Sequence, residues 1–193
     1  MIIGMALALW SCQSDASSDR QADEQAVAAQ PAKQETAAPK AEQSGLYSPP
    51  RSSDVLFLQL GQQEAPSGTT VCVPVIARGF HSLLSMQYTI AWDPDVLAFK
   101  EVKGFGLPHL SAQNFGTTRT AEGVLPVVWI DNALKGVTVS DGSPLYSVCF
   151  EVKGGSGQRS PVQIVDTPTA IEVVNLGEQI VGLDSEAGAV TVK

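Results

Sequence analysis

From residue 53 to residue 193 the chain is written in short apolar runs, most of them ended by glycine, proline or asparagine. This punctuation constrains the fold more than any other feature. The runs fall at residues 55–60, 69–77, 84–92, 96–102, 124–130, 145–152, 162–165, 170–174, 179–183 and 189–192. Several alternate with a period of two. In 84–92, Met86, Tyr88, Ile90 and Trp92 fall on one side, and Ser85, Gln87, Thr89 and Ala91 on the other. Successive side chains of a strand point to opposite faces, so such a run reads as a half-buried strand. Runs of roughly four to ten residues bounded by turns argue an all-β sandwich. No long stripe of period 3.6 occurs in this region, so helices are expected to be minor. Asp93-Pro94 reads as a strand-ending turn.

The charges narrow the function. The 193 residues carry 12 Lys and Arg against 20 Asp and Glu, a formal net charge of −8. Phosphate binding needs clustered cations, so nucleic acid is excluded as the main partner. No apolar run approaches the roughly 18 residues that span a bilayer as a helix. Two His and three Cys leave little material for a metal centre or a thiol enzyme. His81 and His109 lie in loops without a neighbour that suggests a triad. Asp93, Asp95 and Asp131 are acidic loop residues, but calcium takes six to eight oxygen ligands and no dense acidic loop is present. The glycine-rich stretches 104–106 and 154–157 do not join a strand to a helix, so they are not phosphate cradles. No carboxylate pair suits acid–base work. The reading is a binding protein, not an enzyme, with no cofactor and no metal.

The first 52 residues differ in kind. Residues 1–10 are apolar and are followed by Ser11 and Cys12, the shape of a secretory signal. Leu9-Trp10-Ser11-Cys12 resembles the lipobox of bacterial lipoproteins. The resemblance implies that residues 1–12 are a lipoprotein signal peptide and that Cys12 is acylated as the first mature residue. Several acyl chains together hold firmly to a membrane. Trp10 is bulkier than the motif favours. An ordinary signal peptide with an incidental Cys12 is the alternative. Residues 13–52 are rich in Ala, Gln, Ser and Pro, with Val27 the one branched aliphatic before Gly45. Such a stretch cannot bury enough apolar surface to offset the entropy of ordering it, and is expected to be a disordered linker. As a random coil it spans roughly 35 Å. The expected location is a bacterial envelope, at the outer membrane or cell surface.

Residues 53–193 also carry an ordered set of motifs. Val71-Cys72-Val73-Pro74-Val75 is followed by Gly79-Phe80, and then by Ser85 to Trp92 running into Asp93-Pro94-Asp95-Val96-Leu97. Leu107-Pro108, Asn114-Phe115-Gly116, Gly123-Val124-Leu125 and Asp141-Gly142 come next. In this order they resemble a cohesin domain, the receptor half of the cohesin–dockerin pair. The resemblance implies a jelly-roll β-sandwich of two antiparallel sheets with about nine strands. It implies a partner bearing a dockerin, a calcium-coupled module, with a glycoside hydrolase as the candidate enzyme. In cohesins one face, made by the third, fifth, sixth and eighth strands, grips the dockerin. The third strand matches residues 85–92, the sixth 124–131 and the eighth 145–152.

Alternation then assigns sides. Met86, Tyr88, Ile90, Trp92, Leu125, Val127, Trp129, Tyr146, Val148, Phe150 and Val152 are expected in the core. Ser85, Gln87, Thr89, Val128, Ile130, Ser147 and Cys149 are expected on an outer platform. That platform is nearly uncharged, with apolar and polar groups interleaved, as protein-binding faces often are. Coverage of Val128 and Ile130 by a loop is the alternative. A one-residue slip would exchange every side. Cys72 and Cys149 allow one disulfide in an oxidising compartment. The family topology, as matched above, puts their strands in different sheets, which weighs against it. Related sandwiches bind glycans on exposed aromatics, so direct binding of a polysaccharide is the rival function. Trp92 and Trp129 share a side with core residues and read as packing. Tyr47, Phe105 and Phe115 lie in loops or the linker and are open to exposure.

Overall fold

The computed structural model describes residues 48–193. Cys12, Tyr47 and the linker up to residue 47 lie outside the described residues. The first strand begins at Arg51, slightly before the expected boundary at 53. Eleven strands follow in order: β1 (Arg51–Leu60), β2 (Gln62–Ala65), β3 (Thr70–Arg78), β4 (Leu83–Trp92), β5 (Leu97–Lys103), β6 (Val124–Ile130), β7 (Ser143–Val152), β8 (Arg159–Val165), β9 (Glu172–Asn175), β10 (Ile180–Glu186) and β11 (Gly188–Val192). The described helical residues are two short 3₁₀ turns, Ala112–Asn114 and Thr117–Glu122.

The hydrogen-bonded order is β2-β11-β8-β4-β9-β10-β1-β3-β7-β5, with β6 on the other side of β4. One layer holds β2, β11, β8, β9, β4 and β6. The other holds β10, β1, β3, β7 and β5. Both β8 and β9 lie along one edge of β4, β8 opposite Thr89 to Trp92 and β9 opposite Leu83 to Gln87. Residues 166–171 leave the sheet between them. Two pairings, β1 with β10 and β2 with β11, are parallel.

The count of eleven against about nine has a physical cause. The chain changes layers at Gly61, between β1 and β2, and just before Gly188, between β10 and β11. A Cβ at Gly61 would lie 2.6 Å from Cδ of Pro74, and one at Gly188 would collide with the carbonyl oxygen of Gly61. Two backbones approach here so closely that only glycine fits.

Alternation is realised as the sequence dictates. All eleven residues expected inside are buried. Burying each large aliphatic or aromatic side chain contributes about 1.5–3 kcal/mol. The polar handles in this core are satisfied. Trp92 Nε1 donates to the Leu97 carbonyl at 3.0 Å, and Trp129 Nε1 donates to the Pro108 carbonyl at 2.7 Å. The hydroxyls of Tyr88 on β4 and Tyr146 on β7 meet at 2.6 Å between the layers. Phe115 is buried against Tyr146, with ring centroids 5.0 Å apart, which corrects its expected exposure; Phe105 beside it is exposed.

One assignment is overturned. Residues 145–152 form β7, which pairs with β3 and β5 in the layer opposite β4 and β6. The strand beside β4 is the β8–β9 path instead. The family match puts Cys72 and Cys149 in separate sheets, yet β3 and β7 are neighbours and the two cysteines face each other in register. They form a disulfide with Cα atoms 3.9 Å apart, closing a separation of 77 residues. Period two tells which face of its own sheet a residue occupies, but not which sheet its strand joins.

Candidate functional site

The outer face of β4, β6 and β9 is built in rows. Ser85 on β4 is opposite Ile130 on β6 and Val174 on β9. In the next row Gln87 is opposite Val128 and Glu172. Pleating puts all six residues on the side away from the core. Val128 is 41% exposed and Ile130 is 49% exposed, so two large aliphatics stand in water along the β6 side of the face. Ser85 and Gln87 are half-buried between the flanking strands. Gln87 Nε2 donates to the Ala170 carbonyl at 3.3 Å.

Three residues expected on this face are not available there. Thr89 is fully buried. Its hydroxyl accepts from the Thr169 N–H at 3.0 Å, because the 166–171 excursion folds back over the β4 surface. Ser147 lies on β7 in the opposite layer, and so does Cys149, which is consumed in the disulfide. The structure brings together Ser85, Gln87, Val128 and Ile130, and leaves out Thr89, Ser147 and Cys149.

Beside Val128 and Ile130 runs a groove of about 470 Å³, whose far wall includes His109, Gln113, Asn114 and Phe115. The segment after the first 3₁₀ turn is stitched to the β6 edge. Phe115 bridges to Val127, Gly116 N–H donates to the Pro126 carbonyl at 2.9 Å, and Asn114 Nδ2 donates to the Val128 carbonyl at 2.9 Å. Ser111 caps the turn that carries Asn114, and the Asn114 side chain returns a bond to the Ser111 N–H. The motif Ser111 to Asn114 carries this capping signal in sequence. The approach of its loop to β6 does not show there.

At the end of β6, Asp131 is buried. Its carboxylate accepts the N–H groups of Ala133 at 3.0 Å, Lys135 at 2.9 Å and Gly136 at 3.0 Å. His109 Nε2 lies 3.9 Å away. Burial works against the charged form, but the three N–H donors and the nearby imidazole hold this carboxyl below the usual range. The arrangement fixes a turn. Among the described residues no cluster of three or more His, Cys, Asp or Glu is placed to hold a metal ion.

An open sheet face that leaves large aliphatics in water is a feature shared by many recognition surfaces. The family model of the cohesin domain matches residues 56–178, and the chain belongs to that family. No curated relative matches it. Among solved structures it is similar to the sixth cohesin of scaffoldin B from Acetivibrio cellulolyticus, determined with a Cel5 dockerin: 20% identity, 72% of this chain and 99% of that one, TM-score 0.61. It is similar to the OlpA cohesin from Clostridium thermocellum in complex with Doc918, at 13% identity, covering 72% and 100%, with TM-score 0.62. It is also similar to a non-cellulosomal cohesin of the archaeon Archaeoglobus fulgidus, at 20% identity, covering 72% and 91%, with TM-score 0.54.

Proposed function

We propose that this chain docks a dockerin-bearing partner on the outer face of β4 and β6 and has no catalytic role of its own. The observation that carries the reading is the exposure of Val128 and Ile130, side by side on β6, on an open, nearly uncharged face. Desolvating aliphatics of this kind drives association, while Ser85 and Gln87 between the strands supply polar register. The structural neighbours determined with dockerins support the class of partner. A glycoside hydrolase is the enzyme we assign to it, which would place the chain in polysaccharide degradation. Cys12 is the proposed lipid anchor and residues 13–52 the tether, holding one docked enzyme at a bacterial envelope. Direct glycan binding has less support, since Trp92 and Trp129 are packed in the core.

The test is capture by the immobilised full chain from envelope and secreted fractions, with calcium or with EDTA. A dockerin-bearing protein retained in calcium, released by EDTA and lost with Ile130→Asp is the expected result. Retention of no such protein in calcium overturns the reading. Fractionation of a Cys12→Ser chain tests the anchor separately: the expected result is a shift from membrane to soluble fractions.

A further inference from the structure

The layer opposite β4 and β6 carries a second exposed patch, on β10, β1 and β3. Strand pairing sets its rows. Phe57 on β1 is opposite Arg78 on β3 and Asp184 on β10. In the next row Gln59 is opposite Ile76 and Glu186. In the row on the other side Val55 is opposite Gly182. Leu56, Leu58 and Ala77, which alternate with these residues, are buried, so pleating turns the patch outward. Val55 is 47% exposed.

The side chains tie into one array. The Arg78 guanidinium lies over the Phe57 ring, 5.8 Å from its centroid, and its Nη2 donates to Gln59 Oε1 at 3.3 Å. Gln59 Nε2 donates to Glu186 Oε2 at 3.1 Å. Among the described residues Arg78, Asp184 and Glu186 take part in no ion pair. Across the three strands the first row therefore reads acid, aromatic, base, with the aromatic on the middle strand. That order is its own complement. When a second copy is turned over about the direction of β1 and laid on the first, Phe57 meets Phe57. Each Arg78 then stands over Asp184 of the other copy, one row from its Glu186. Turning the copy over about the direction across the strands sets Arg78 on Arg78 and Asp184 on Asp184. Like charges disfavour that second arrangement.

We propose that the chain pairs with a second copy of itself through the outer face of β10, β1 and β3, an isologous contact about a two-fold axis along β1. The complementary charge order across β1 selects this occupant. Gln59 also meets itself, and an amide both donates and accepts. Three strands about 4.8 Å apart make a narrow patch, smaller than the roughly 800 Å² each partner buries in a stable complex. The dimer is accordingly weak and loosened by salt. It leaves the β4–β6 face open on the other layer, and it does not depend on the docking reading above.

The experiment is sedimentation equilibrium of the full chain over a concentration series, with Cys12→Ser as the background so that no acyl group drives association. A monomer–dimer equilibrium that shifts toward monomer with added salt is the expected result. Arg78→Asp and Asp184→Arg each set like charges opposite one another twice, by symmetry, and each is expected to weaken the dimer roughly tenfold or more. The two together reverse the charge order without breaking it, so the double variant is expected to recover the dimer. Both residues are exposed, and melting temperatures near the parent's check that the fold is kept. Monomer at every concentration overturns the proposal. A dimer indifferent to both single reversals, or a double variant as weak as the singles, overturns it as well. A dimer lost with Ile130→Asp and kept with Arg78→Asp overturns it in favour of the β6 face.

Discussion

The hydroxyl of Tyr88 on β4 lies 2.6 Å from the hydroxyl of Tyr146 on β7, and this bond joins the two layers of the sandwich through the middle of the core. Each phenol is fully buried, so each hydroxyl depends on the other. Replacing one tyrosine strands the second hydroxyl in apolar surroundings. Tyr88→Phe or Tyr146→Phe is expected to cost about 1–3 kcal/mol, whereas the double Phe variant costs less than the sum. Urea unfolding of the four proteins in the cycle measures the coupling, and additivity would show that the bond contributes nothing.

The same pair makes the fold sensitive to alkali. Burial raises Tyr88 above the ordinary tyrosine range, partly offset by the bond from Tyr146, and burial with the adjoining Tyr88 raises Tyr146. A raised pKa in the folded state favours the neutral phenol. The associated stability is complete below the ordinary value of about 10 and drains away as pH climbs above it. Unfolding midpoints are expected to fall between neutral pH and pH ~11, and to fall less steeply in the double Phe variant.

The disulfide is expected to stabilise the domain by about 2–4 kcal/mol through restriction of the unfolded chain across 77 residues. A Cys72→Ala, Cys149→Ala variant should unfold at lower urea than the oxidised protein. Added reductant should lower the midpoint of the parent and leave the variant unmoved. An unchanged midpoint in the variant would show that the link is dispensable.

Asp131 is expected to set the turn beyond β6. Its carboxyl lies below the usual range, so the stability it supplies is present above pH ~4 and is lost as pH falls through the folded value. Asp131→Asn removes the charge and leaves fewer acceptor lone pairs for three N–H donors. Amide exchange at Ala133, Lys135 and Gly136 should quicken markedly, with smaller changes in the layer containing β7.

The two sheet faces give a clean contrast for docking. Ile130→Asp places a charge among the exposed aliphatics of β6 and is expected to weaken dockerin binding about thirtyfold or more. Ser147→Asp adds the same charge on the opposite layer and is expected to leave affinity unchanged. Equal effects from both would place the interface elsewhere.

Within each strand, the order of residues was enough to assign sides. The alternation of Met86, Tyr88, Ile90 and Trp92 against Ser85 and Gln87 set which side chains enter the core, and Leu125, Val127 and Trp129 followed the same rule. The exposed placement of Val128 and Ile130 was legible for that reason. The assembled sandwich, and nothing short of it, put β7 beside β3 and β5, which carried Ser147 away from the platform and brought Cys149 to Cys72. It also laid the 166–171 excursion over Thr89, and set the loop bearing His109 and Asn114 as the wall of a groove beside β6. Side-chain period is a property of a few consecutive residues, whereas the choice of neighbouring strand and the path of a covering loop depend on contacts between residues far apart in the chain.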